Sequence, residues 1–109
     1  MQIRDIDDFT SQYTGEWAPV EGHWYGLNFS YNGTRYRFNT WSDANKNLTV
    51  LPDGRKARFG LLKNSSGGQR YTLLGEYASI EEVLFSTVID NIPFSSILMD
   101  NATELISQD

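Results

Sequence analysis

Eight of the nine basic residues of this 109-residue chain fall between positions 34 and 70. Their spacing can put several of them on one surface. Arg35 and Arg37 are two residues apart, as are Lys56 and Arg58, and in an extended strand residues two apart face the same way. With Arg70, and with Trp24 and Trp41 at the far end, they make a candidate binding face. Arginines beside exposed aromatic rings can hold phosphate and stack bases. They can equally anchor a protein partner, because Trp, Tyr and Arg dominate binding hot spots. Residues 71–109 contain seven acids and no base. Among them Glu76, Glu81, Glu82 and Asp90 could present a negative surface to a basic partner, such as a nucleic-acid-handling protein.

Catalytic chemistry finds less to work with. Nucleophilic catalysis needs an activated nucleophile, a base and an orienting group. The single histidine, His23, stands beside Trp24 at the mouth of the first strand, where it reads as a packed or solvated residue. No Gly-x-Ser-x-Gly, His-x-x-x-His or Asp-x-Asp-x-Asp-Gly pattern occurs. Gly67-Gly68 joins two expected strands rather than feeding a helix N-terminus, so it offers no row of free amides to a phosphate. Asp5, Asp7 and Asp8 suit capping and the positive end of a helix dipole better than a metal. With no cysteine, a disulfide framework, a thiolate metal site and a cysteine nucleophile are all excluded. The expectation is a binding protein without metal or cofactor, not an enzyme.

The stretch that must position the basic face runs from His23 to Trp41. Asn32-Gly33 between two alternating runs is a strong hairpin signal, because a type I′ turn needs two residues that tolerate positive φ. With these as the loop, Tyr31 faces Thr34, Phe29 faces Tyr36, Leu27 faces Phe38 and Tyr25 faces Thr40. Tyr25, Leu27, Phe29, Tyr31, Tyr36 and Phe38 then share an apolar face. Trp24, Asn28, Ser30, Arg35, Arg37, Asn39 and Trp41 share the other.

Around this hairpin the spacing predicts a short helix over Asp5–Tyr13, with Ile6, Phe9 and Tyr13 inward. Leu48–Leu51 reads as a short extended piece, and Pro52-Asp53-Gly54 as a turn. A strand is expected over Lys56–Lys63 with Phe59 inward, and another over Gln69–Tyr77 with Tyr71, Leu73 and Tyr77 inward. Ser79 and Glu82 form a capping box for a helix reaching about Asp90, with Ile80, Val83, Leu84, Thr87 and Val88 on one face. Pro93 starts a second short helix through Met99. Ala102–Ile106 fits a helical turn or an edge strand equally.

The expected architecture is therefore one α+β domain over residues 1–109: an antiparallel meander sheet of about four strands, with N-terminal and C-terminal helices packed on one face. A chain with 39% hydrophobic and 14% aromatic residues can build a core of its own. No apolar run is long enough to span a bilayer, and the acidic start MQIRDIDDF is unlike a signal peptide, so a cytoplasmic protein is expected. The Asn-x-Ser/Thr triplets are then chance features of a chain rich in these residues. The net charge of −5 is segregated, with −4 over residues 1–33, +6 over 34–70 and −7 over 71–109. In size and charge the chain resembles small acidic α+β inhibitors encoded by phages and mobile elements. That resemblance implies an accessory or inhibitory role on a basic protein. The other reading is a nucleotide or RNA held on the basic, tryptophan-flanked face.

Overall fold

A computed structural model describes residues 26–41, 48–65 and 70–108. The helix expected over Asp5–Tyr13 lies outside these residues, as do His23, Trp24 and Tyr25.

The Asn32-Gly33 turn forms as its residue types demand, with φ of 50° and 81°. From it strands β1 (Gly26–Tyr31) and β2 (Thr34–Thr40) pair antiparallel. Tyr31 lies opposite Thr34, Phe29 opposite Tyr36 and Leu27 opposite Phe38, the pairs the turn predicts. Strand β3 (Phe59–Asn64) adds to β2 and β4 (Tyr71–Tyr77) adds to β3, completing the expected meander.

Among the described residues the sheet has five strands rather than four. Strand β5 (Thr103–Gln108) returns to pair with the free side of β1, so the order is β4-β3-β2-β1-β5. This settles the Ala102–Ile106 segment as a strand. Its place is held by long-range contacts: the Asn32 N–H donates to the Ala102 carbonyl at 3.3 Å, and the Thr103 hydroxyl donates to the Ile97 carbonyl.

Among the described residues two short helices cover one face. Helix α1 (Ile80–Phe85) begins at the capping box: Ser79 Oγ accepts from the Glu82 N–H at 3.3 Å, and Glu82 Oε2 accepts from the Ala78 N–H at 3.2 Å. It stops well short of Asp90. Ser86 is already extended, its N–H closing on the Val83 carbonyl and its carbonyl taking the Phe94 N–H. Thr87 and Val88 therefore leave the helical stripe, and Val88 is exposed. Asp90 and Asn91 make a second tight turn with φ of 52° and 58°, closed by the Ile92 N–H on the Ile89 carbonyl at 3.0 Å. Asp and Asn are the non-glycine residues that tolerate this region best. Helix α2 (Phe94–Leu98) follows Pro93 as expected.

The core lies between the helices and the predicted apolar face. Leu27, Phe29, Tyr31, Tyr36 and Phe38 are all buried there. Phe94 of α2 sets its ring 5.7 Å from that of Phe29 and 6.1 Å from that of Phe38. Val83, Ile97 and Leu61 close the cluster.

Strand β4 departs from the simple alternation. Leu61 opposes Gly75 while Leu62 opposes Leu73, so Leu74 is an extra, bulged residue. Tyr77 and Leu74 pack on the core, but Tyr71 and Leu73 pass to the other face, where both are exposed. The expectation that Tyr71 and Leu73 point inward is thereby corrected. Strand β3 also begins at Phe59 rather than Lys56, which makes only an isolated bridge to Val50.

Candidate binding face

Residues paired across a ladder share a face. On the side away from the helices one row runs Asn28, Arg37, Leu62, Leu73, and the next runs Gly26, Asn39, Gly60, Glu76. Ser30 and Arg35 begin a third row, with Glu104 beside Ser30 on β5. Among the described residues both helices lie on the opposite face.

Arg37 lies down on the sheet instead of standing in solvent. Its Nη1 donates to Asn28 Oδ1 at 2.7 Å and its Nε to Asn39 Oδ1 at 2.6 Å. The guanidinium plane covers Gly26, where a Cβ would collide with it. Trp41, two residues beyond Asn39, does the same over Gly60. The two strand glycines on either side of Asn39 thus open two slots, one filled by a guanidinium and one by an indole. Close approach of a neighbouring group is a main reason for glycine within a strand. The sequence carries that signal at Gly26 and Gly60, while nothing local marks Asn28 and Asn39 as the residues that hold Arg37.

Four of the seven residues expected on the basic face come together. Arg35, Arg37 and Trp41 lie along β2 and its end, and alternation from Gly60 brings Arg58 alongside. The Trp41 N–H donates to the Arg58 carbonyl at 2.7 Å. Lys56 sits beyond the sheet, at the bridge to Val50. Arg70 falls out of phase: the Leu74 bulge puts Tyr71 on this face, so its neighbour alternates to the other. Trp24 lies outside the described residues. In place of Arg70 the face gains half-buried Leu62 and the exposed side chains of Leu73 and Tyr71, at 45% and 37%.

The four acidic residues are not gathered in the same way. Glu76 belongs to the open face and accepts from the Thr49 hydroxyl at 3.2 Å. Glu82, on α1, is engaged by Arg55, which also donates to Asp53 Oδ2 at 2.8 Å. These hydrogen bonds from the Arg55 guanidinium hold both carboxyls below their ordinary range. Glu76, Arg55 and Glu82 line a cleft of about 500 Å³ with Leu51, and Phe85 at its margin is 77% exposed. Glu81 points into solvent. Asp90 stands by Tyr36, near the hairpin turn and at the other end of the ladder from Tyr77 and the cleft. There burial first, then the Asp90 and Tyr31 charges, push the Tyr36 hydroxyl above its ordinary value.

Among the described residues no group of three or more His, Cys, Asp or Glu side chains could hold a metal ion, and no helix is long and apolar enough to cross a membrane. No family model matches the chain, and neither a curated protein nor a solved structure does.

Proposed function

We propose that this chain is a non-catalytic protein-binding domain, accessory or inhibitory in role, whose open sheet face is the contact surface. The observation that supports this most is the pair of planar side chains packed against strand glycines, Arg37 at Gly26 and Trp41 at Gly60. Arg and aromatic groups are the residues that interface cores concentrate. Held in advance by Asn28, Asn39 and the sheet itself, they have little rotamer freedom left to lose on association. Leu62, Leu73 and Tyr71 supply adjoining apolar area of the kind a partner buries.

A phosphate ligand fits less well. Among the described residues Arg35, Arg37 and Arg58 carry the positive charge on the face, Glu76 and Glu104 carry negative charge on its outer strands, and the whole chain has a net charge of −5. Beyond a Debye length of about 8 Å such a surface does little to attract a polyanion. Capture through the acidic residues is weakened by Arg55, which neutralises Asp53 and Glu82 locally.

The test uses the full chain as bait in its own cells, beside a Trp41→Ala, Leu73→Asp variant checked for folding by circular dichroism. Prey retained by the parent and lost from the variant is the expected result. Equal retention by both would overturn this use of the face. So would a nucleotide or RNA titration that is abolished by Arg35→Glu with Arg37→Glu. Glu81→Lys with Glu82→Lys is expected to leave capture unchanged.

A further inference from the structure

We infer, resting on the protein-binding reading above, that the partner segment received by this face is an amphipathic helix with an apolar stripe and an acidic flank. The chemistry of the face is divided by strand. Arg35 and Arg37 follow one another along β2, and Trp41 continues the line at its end. Leu62 on β3 and Leu73 on β4 are the next two members of the Arg37 row, with Tyr71 on β4 two residues from Leu73. The apolar group of Leu62, Leu73 and Tyr71 therefore lies to one side of the cationic line, one to two strand spacings away, roughly 5–10 Å.

A helix about 10 Å across spans that distance between its apolar stripe and its flank. Laid along β2 and β3, it sets leucine-type side chains on Leu62 and Leu73 while its flank meets the arginines. A carboxylate on that flank meets the Arg35 guanidinium, and Arg37, held on Asn28 and Asn39 over Gly26, adds positive charge beside it. Fork-shaped guanidinium groups match carboxylates in geometry as well as in sign. A basic flank would instead meet like charge at Arg35 and Arg37. Glu104 beside Ser30 and Glu76 beside Gly60 mark where the acidic flank must end, since carboxylates reaching either outer strand would be repelled.

The experiment uses the full ¹⁵N-labelled chain and two synthetic helical peptides of about 18 residues, long enough to hold helix when stapled. Both carry the same leucine stripe; one has glutamate flanks and the other lysine flanks. The glutamate peptide is expected to bind, to shift the signals of Arg35, Arg37, Leu62, Leu73 and the Trp41 indole, and to weaken as salt rises. Arg35→Glu with Arg37→Glu is expected to cost it about ten-fold or more in affinity. Preference for the lysine peptide at the same residues would overturn the inference while leaving a protein-binding face. Binding of neither peptide, or shifts confined to the helix-covered side, would overturn it as well. Binding that emerges only in an Asp7→Lys, Asp8→Lys chain would overturn an external partner in favour of the chain's own acidic N-terminal residues. The capture experiment with Trp41→Ala, Leu73→Asp is read independently of all these results.

Discussion

The indole of Trp41 occupies the space above Gly60 that the side chain of any other residue would need: a Cβ on Gly60 would stand 2.8 Å from the ring atom Cζ3 and closer still to its neighbour. A methyl group cannot share that space with an aromatic ring, so residue 60 decides whether the residue 41 ring can pack against β3.

Gly60→Ala is therefore expected to lift the indole off the sheet. The outcome should be a red shift in tryptophan emission and a stability loss of about 1–3 kcal/mol, the usual cost of overpacking. Trp41→Phe serves as the control that removes this indole's signal. An unshifted emission maximum with an unchanged denaturation midpoint would contradict the packing.

Arg37→Met keeps most of the side chain's length but removes the donors to Asn28 and Asn39. A loss of about 1–2 kcal/mol is expected, in the range for part-buried hydrogen bonds to a charged group. Asn28→Ala combined with Arg37→Met should cost less than the sum of the two changes alone, because both remove the same bond. Strict additivity in urea denaturation would refute the link.

Phe94 is the aromatic group that ties α2 to both hairpin strands through Phe29 and Phe38. Phe94→Ala is expected to cost about 3–5 kcal/mol, a large part of the 5–15 kcal/mol typical of a whole domain. A loss below about 1 kcal/mol, measured by denaturant unfolding, would show that the ring is not central to the core.

Acid sensitivity should depend on Arg55. Its hydrogen bonds place the Asp53 and Glu82 carboxyls below their ordinary values in the folded chain. A carboxyl lowered in this way binds fewer protons folded than unfolded. Its contribution is complete above about pH 5 and disappears as pH falls through the lowered value. Arg55→Met is expected to lower stability at neutral pH only slightly, by the amount the two shifts contribute there, because all three groups face solvent. It should flatten the decline of the urea midpoint between about pH 5 and about pH 2. A decline of unaltered steepness would rule the pairing out.

The hairpin was legible because its turn is demanding. Few residue pairs other than Asn-Gly accept positive φ twice, and the alternation on either side then has a single consistent register. The capping box at Ser79 and the start of α2 at Pro93 were legible for the same local reason. What escaped depends on partners far away in the chain. Strand β5 exists through β1, some seventy residues earlier, and its own residues choose neither strand nor helix. The bulge at Leu74 follows from its pairing with β3, while a reading by alternation assumes an uninterrupted ladder. It moved Tyr71 and Leu73 to the face with the arginines and Arg70 off it. The turn at Asp90-Asn91 lacks the glycine that announces such a turn, so periodicity alone extends α1 past its end at Phe85. Arg35, Arg37 and Trp41 could be grouped from spacing alone. That Arg37 and Trp41 pack against the sheet could be read only from Gly26 and Gly60, which matter through what lies across from them.

Both outer strands of the sheet are irregular, β4 at Leu74 and β5 at Ile106, where Asn28 faces Ser107 while Phe29 faces Leu105. An extra residue at a rim twists the backbone and spoils the even row of amides and carbonyls that a foreign strand would copy. The sheet is thereby ill suited to polymerise by templating more of itself from either side. Whatever it recruits must be recognised by side chains on the flat of the sheet, which leaves specificity to residues that substitution can retune one at a time.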